Sequence, residues 1–291
     1  MNSSRRDFIR HSSVLSAGLF ISKDEWFKTN KNIGVQLYTL RADMGKDPKG
    51  TLQKLSLLGY KEVETFGYNK GKWFGMTAAE LKDVLKSNGL SSPSGHTFPG
   101  GTFLKDGWED NWKQAVEDAK ALGQKFIVIP WLEEQHRKPM DNYKKIAAGL
   151  NKAAGICKQV GGIEVAYHNH DFEFVKEDGQ SGFDILMKET DPKQVKMELD
   201  IYWAVKAGHN PIDLFNAHPG RFVMWHVKDI DNTDKKFFTE VGNGTIDWKP
   251  IFAQAKKSGM KHFFVEQDVC PGPPIESVGK SISYLKKNIV K

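Results

Sequence analysis

The chain has 291 residues, 39% of them hydrophobic and 27% charged, which is enough to bury a full core and suits one large α/β domain better than two small ones. Its formal charge of +6 is spread along the sequence without a basic stripe interleaved with aromatics, so nucleic acid is not a favoured partner. The two cysteines, Cys157 and Cys270, have neither metal-site spacing nor the density of a disulfide scaffold.

The first feature in chain order is a leader. Ser4-Arg5-Arg6-Asp7-Phe8-Ile9-Arg10 is a twin-arginine pattern, and the apolar stretch 13–22 behind it is too short to span a bilayer. Residues 1–28 therefore read as a Tat-type signal, on a route that carries folded, cofactor-loaded proteins. That predicts a periplasmic protein meeting the membrane only through its export signal. No clean A-x-A cleavage site is visible, so retention as an anchor stays open. Residues 29–291 read as one catalytic domain.

Strand and helix signals then alternate. A short apolar strand over 33–38 is followed by a helix opened by Asp47-Pro48 and ended by Gly59. The run 61–66 alternates as a second strand, and Thr77-Ala78-Ala79-Glu80 is a capping box starting a helix that stops at Asn88-Gly89. Residues 90–97 give a weaker third strand, 108–122 a helix, and 126–129 an all-apolar fourth strand, as expected of a strand covered on both sides. A long helix over about 140–160 leads to a fifth strand at 163–167 and a helix near 183–190. Strands at 195–199, 222–227 and 262–265 follow, with helices around 211–217, 247–258 and 274–287. Eight such units in one domain predict a (β/α)8 TIM barrel, and neither G-x-G-x-x-G after the first strand nor a P-loop is present.

In such a barrel the reactive groups sit at the carboxyl ends of the strands. The second strand ends with Glu64 and the third with His96. The fifth runs into Tyr167-His168-Asn169-His170-Asp171-Phe172-Glu173-Phe174, with His168 and His170 on one side. The sixth carries Glu198 and Asp200 on a shared face, the seventh His226 and Lys228, and the eighth ends at Glu266. Buried carboxylates that are neither paired nor metal-bound are costly, so this mouth implies a cation or a tight network. A mixed nitrogen and oxygen set points to divalent Mn, Zn, Co or Fe without choosing between them.

From about residue 31 onward the chain resembles the sugar phosphate isomerase/epimerase family, the xylose isomerase-like barrels that include tagatose 3-epimerases, hydroxypyruvate isomerases and inosose dehydratases. Val63-Glu64, Glu198-Leu199-Asp200, His226-Val227-Lys228-Asp229 and Val265-Glu266 carry the resemblance. It implies a metal held by His168, Asp200, His226 and Glu266. The family's epimerases usually have Glu, often Glu-Asn-His, where this chain has His168-Asn169-His170, and that Glu doubles as an acid/base group. Tyr-His-Asn-His is closer to the Tyr-His-His-His run of inosose dehydratases, which raises the standing of elimination chemistry.

The expected activity is a metal-dependent isomerase or epimerase acting through an enediolate on a keto sugar or polyol, unphosphorylated because sugar phosphates are largely confined to the cytoplasm. Glu266 is expected as ligand and base, Glu173 or His170 as the group returning the proton, and Lys228 as an oxyanion partner or, equally, an ion-pair partner of Asp229. Glu64, His96 and Trp203 are the expected substrate-binding residues. Trp131, Phe66 and Phe98 are further rings that either floor a sugar or pack the core. A lyase or dehydratase working by β-elimination from the same intermediate is the alternative, and a non-catalytic carbohydrate-binding barrel the second. The endonuclease IV branch is disfavoured because its Asp-x-x-His is replaced by Asp200-Ile201-Tyr202-Trp203. The sequence leaves the oligomeric state, including a homo-oligomer, open.

Overall fold

The computed structural model describes residues 32–290. The expected twin-arginine leader lies outside the described residues, and among them no helix is long and apolar enough to cross a membrane.

Eight parallel strands close a barrel: β1 Gly34–Gln36, β2 Glu62–Thr65, β3 Ser91–His96, β4 Phe126–Ile129, β5 Glu164–His168, β6 Val195–Asp200, β7 Phe222–Val227 and β8 His262–Val265. Each pairs with its successor, and β8 returns to β1 with Gly34 opposite Phe264. The covering helices are α1 Pro48–Leu58, α2 Ala78–Ser87, α3 Glu109–Leu122, α4 Asp141–Val160, α5 Gly182–Glu189, α6 Pro211–Ala217, α7 Trp248–Phe252 and α8 Pro274–Asn288. The predicted boundaries hold where a local signal set them. Asp47 caps α1 through the Gly50 amide at 2.9 Å, Gly59 ends that helix at φ 96°, and Thr77 and Glu80 form the reciprocal cap of α2.

Departures have local causes. β3 is a full strand despite Pro93, because its register against β2 shifts between Glu62 and Glu64, leaving the proline at an irregularity where a missing donor is tolerated. The predicted helix 247–258 is broken into α7 and a short turn of helix, Ala255–Ser258. A 3-10 helix with a short helix behind it over 37–46, a helix at Ile201–Lys206, and small hairpins after β2, β5 and β7 were not foreseen.

Two apolar zones separate the layers. The larger lies between strands and helices and includes Leu52, Trp112, Ile146 and Trp225. A smaller cluster centres on inward positions of β4, β5, β7 and β8: Phe126, Val128, Ala166, Met224 and Phe264, with Val223 beside them. Toward the carboxyl ends the same inward rows turn polar.

Gly34 is where closure is tightest, since a Cβ there would lie 2.5 Å from the Phe264 ring and 2.8 Å from the Phe263 carbonyl oxygen. Gly34→Ala is expected to cost about 1–3 kcal/mol by overpacking. Urea unfolding would register this as a lower midpoint at unchanged slope; an unmoved midpoint would mean the β1–β8 seam has slack.

Candidate active site

Strand alternation and register assemble the site. Side chains two apart share a face, so β6 directs Glu198 and Asp200 inward, while β7 and its extension do the same with His226 and Lys228. Parallel pairing then sets Glu198 opposite His168, Asp200 opposite His226, and Glu64 between Gln36 and Ser94.

The result is two polar tiers spanned by two imidazoles. In the inner tier, Glu198 Oε2 lies 2.8 Å from His96 Nε2, 3.0 Å from His168 Nδ1 and 3.2 Å from His226 Nε2. Glu64 Oε2 sits 2.6 Å from His226 Nε2 and accepts from Gln36 Nε2 at 2.7 Å, while Ser94 Oγ donates to Glu64 Oε1 at 2.5 Å. In the outer tier, His226 Nδ1 is 2.6 Å from Glu266 Oε2, and His168 Nε2 is 3.6 Å from Asp200 Oδ2. Lys228 Nζ lies 2.8 Å from Asp200 Oδ2, 2.7 Å from Glu266 Oε2 and 3.1 Å from Asp268 Oδ2.

These groups are buried, so their charges are set by one another. Burial opposes ionisation of Glu64, Glu198 and Glu266, yet the facing cations hold all three below the usual carboxylate range. Burial likewise opposes the cationic forms of His96, His226 and Lys228, and the carboxylates overcome it, lifting His96 to about 9 and the other two well above their ordinary values. Three anions thus face three cations. Burial pushes Asp200 up to about 6 against the pull of Lys228, and it keeps His168 and His170 neutral.

Above the outer tier opens a cavity of about 740 Å³. His96, His168, His170, Lys228, Glu266 and Asp268 reach its polar part, and Tyr38, Phe66, Trp131, Phe172, Trp203 and Phe238 supply an aromatic wall. Such an apolar enclosure with a few convergent polar groups is the usual form of a small-molecule site. His170 stands between Trp131 and Trp203, with its Nδ1 lacking a hydrogen-bond partner among the described residues.

Of the four residues expected as metal ligands, Asp200, His226 and Glu266 present donor atoms within 4.8 Å of one another, and His168 Nε2 lies 3.6 Å from Asp200 Oδ2 while the His168 ring also belongs to a second such cluster with His96, Glu198 and His226. His96 and Trp203 line the cavity as a substrate-binding role requires. Glu64 does not: it is fully buried beneath His226, because its position on β2 falls one layer below the rim. Glu173 is also displaced from the expected place. Tyr167 alternates with His168 and so points into the helix layer, and Glu173 follows it, accepting from Tyr167 Oη and the His170 amide at 2.7 Å each. Lys228 pairs with Asp268 and not Asp229, whose carboxylate turns to the other face and holds Gly242 N, Ile246 N and the Trp248 indole. Phe98 packs on Tyr68 and Trp112, in the core. Glu198 was expected on the inward face but given no role, and Asp268 was missed as a site residue; each stands two positions from an expected ligand, and that period was the signal available.

A family described as the xylose isomerase-like TIM barrel matches residues 52–288. The chain belongs to that family. Among its relatives, the inosose dehydratase of Lacticaseibacillus casei is 29% identical over 164 residues, a match spanning 50% of this chain and 54% of that protein. The chain thus spans about half the length of the first curated relatives it matches. The inosose dehydratase of Clostridium botulinum is 25% identical over 282 residues, with 84% of this chain and 91% of that protein covered. A solved sugar phosphate isomerase/epimerase from Parabacteroides distasonis is 27% identical, with a TM-score of 0.78 over 89% of this chain and 94% of that one.

One consequence of Glu173's surroundings is measurable. Burial raises its carboxyl from 4.5 to about 7, against the two hydrogen bonds it accepts. Between those values this carboxyl is protonated in the folded state and ionised in the unfolded one, so its contribution to stability is greatest below pH 4.5 and falls by about 3 kcal/mol as pH rises to about 7. Urea unfolding at pH 5 and 7.5 should show this fall in the wild type and a clearly smaller one in Glu173→Gln; equal slopes would place the titration elsewhere.

Proposed function

We propose that this barrel is a metal-dependent enzyme that removes the proton beside the carbonyl of an unphosphorylated keto sugar or polyol, and that elimination of a β-hydroxyl or other β-oxygen substituent completes the reaction. The observation that carries the reading is the convergence of Asp200, His226 and Glu266 from three consecutive strands onto one point under the cavity.

The donor set fits a divalent ion. His168 Nε2, Asp200 Oδ2, His226 Nδ1 and Glu266 Oε2 would supply two nitrogens and two oxygens once His226 gives up its Nδ1 proton, with 3.6 Å between His168 and Asp200 and 2.6 Å between His226 and Glu266. Zn, Mn, Co or Fe accept such ligands. Bound there, the ion would act as a Lewis acid on a carbonyl and its neighbouring hydroxyl, easing loss of the α-proton.

The chain's own groups divide the remaining work. Glu266, held ionised at the cavity floor, takes the α-proton. Lys228 Nζ, 2.7 Å from Glu266 Oε2, is a cation placed to steady the oxyanion of the enediolate. The proton taken by Glu266 is then passed to the departing β-oxygen, so that the carbon–oxygen bond breaks to give water and an enone and Glu266 returns to its ionised form, while His170, which burial keeps neutral, faces the cavity as a hydrogen-bond partner for that oxygen. Trp131, Trp203 and Phe238 offer ring faces for the sugar and exclude water from the intermediate. Elimination is preferred over epimerisation because Glu173 faces the helix layer, leaving Glu266 without the second carboxylate that a two-base shuttle was expected to use. Inosose dehydratases among the relatives support the same choice. Epimerisation or isomerisation is the second reading, favoured by Asp268, a further carboxylate on the cavity wall beside Lys228. The twin-arginine segment supports export to the periplasm, and with it the unphosphorylated substrate.

Incubating metal-loaded protein with keto sugars and inososes in D2O and following the α-proton by NMR tests the proposal. Loss of that signal together with an enone resonance is expected, abolished by chelation and slowed at least about 100-fold in Glu266→Gln. Exchange without an enone would select the second reading; no exchange across the panel would leave neither.

A further inference from the structure

The outer tier and cavity leave one buried acid without a task. Glu198 is fully buried, and its Oε1 has no hydrogen-bond partner among the described residues. Its Oε2 instead gathers three imidazole nitrogens: His96 Nε2 at 2.8 Å, His168 Nδ1 at 3.0 Å and His226 Nε2 at 3.2 Å. Burying a carboxylate in this way is expensive, and an apolar side chain of similar volume would commonly serve stability as well or better.

Two of the three rings that Glu198 touches also reach the outer tier with their other nitrogens. His168 presents Nε2 to Asp200 Oδ2 at 3.6 Å, and His226 presents Nδ1 to Glu266 Oε2 at 2.6 Å. A neutral imidazole offers a lone pair from one nitrogen only when its proton sits on the other, and the acceptor facing that proton decides which form exists. For His168 the required form is Nδ1–H, the minority tautomer of a free imidazole in water.

We infer that Glu198 is a positioning residue: its Oε2 accepts the inner N–H of His168 and, with Glu64 Oε2 behind His226, fixes both rings so that their outer nitrogens face Asp200 and Glu266. His96 completes the device. Its Nε2 lies between the two inner carboxylates, 2.8 Å from Glu198 and 3.2 Å from Glu64, and its ring stacks on His226 with centroids 5.3 Å apart and 12° between planes. It also packs edge-on against His168 at 5.1 Å. Neighbouring carboxylates are thereby offset by a cation, and the planes of both outer-facing rings are set by contact. What the outer nitrogens hold rests on the proposed function; the tautomer is a property of the protein alone.

The test uses the full chain. Long-range 1H–15N correlation on metal-free protein should find His168 as Nδ1–H in the wild type and shifted toward Nε2–H in Glu198→Leu. Glu198→Gln, which keeps a carbonyl acceptor in place, should restore part of the Nδ1–H form. Zinc binding measured by calorimetry should weaken about 10–100-fold in Glu198→Leu and less in Glu198→Gln. Glu62→Gln is the control, because Glu62 pairs with His262 at 2.8 Å at the opposite end of the barrel, and it should leave zinc affinity unchanged. If Glu198→Leu does not fold, the intermediate tautomer and affinity of Glu198→Gln carry the test. Wild-type His168 as Nε2–H, or folded variants with unaltered tautomer and affinity, would overturn the inference. So would a second tight zinc equivalent lost in Glu198→Leu with the first intact, since Glu198 would then be a ligand. A wild type that binds no zinc would sink the metal reading while the tautomer comparison still decides this one.

Discussion

The top of this barrel depends on charge balance among buried side chains. Glu64, Glu198 and Glu266 are ionised because His96, His226 and Lys228 are protonated beside them, and the reverse holds equally. Removing one member leaves its partner as an uncompensated buried charge, which is strongly destabilising, whereas the intact set contributes little to stability over an apolar filling. The network is therefore better explained by what it does than by what it holds together. His226 is the pivot, with Glu64 and Glu198 on one nitrogen and Glu266 on the other.

The rest of the fold makes that arrangement affordable. Below the polar tiers, Phe126, Val128, Ala166, Met224 and Phe264 fill the barrel interior with side chains, and outside it the strand–helix layer supplies the larger apolar burial. Asp229 shows how the rim is kept rigid. Its carboxylate faces away from Lys228 and gathers two backbone amides and an indole, tying the loop after β7 to α7. Tyr38, Phe66, Trp131, Phe172, Trp203 and Phe238, from the segments after β1, β2, β4, β5, β6 and β7, then raise an aromatic wall over the charged floor, which keeps water scarce where charge would develop.

A division by location follows in the site itself. His168, Lys228, Glu266 and Asp268 reach the cavity from the outer tier and His96 from the inner one, while Glu64 and Glu198 reach only other side chains. Glu64 and His96 illustrate the boundary: they stand on neighbouring strands and lie 3.2 Å apart, yet His96 lines the cavity and Glu64 does not. One layer of barrel stagger separates a residue that meets substrate from one that meets only imidazole.

Much of this was legible in the sequence because it is local. The strands could be read from apolar runs, α1 and α2 from their caps, and the inward set His168, Asp200, His226 and Glu266 from a period of two ending at strand tips. That same period placed Glu198 inward beside Asp200 and was enough to have included Asp268, which stands two positions from Glu266. What no local pattern contained was depth and partnership. That Glu64 sits under His226, that Glu173 follows Tyr167 to the helix side, and that Lys228 answers Asp268 instead of its neighbour Asp229 are consequences of register and closure. The sequence by itself determined which residues face inward, because alternation is a property of each strand; only the closed barrel decided which of them meet, because those contacts join strands whose spacing is fixed by the whole ring.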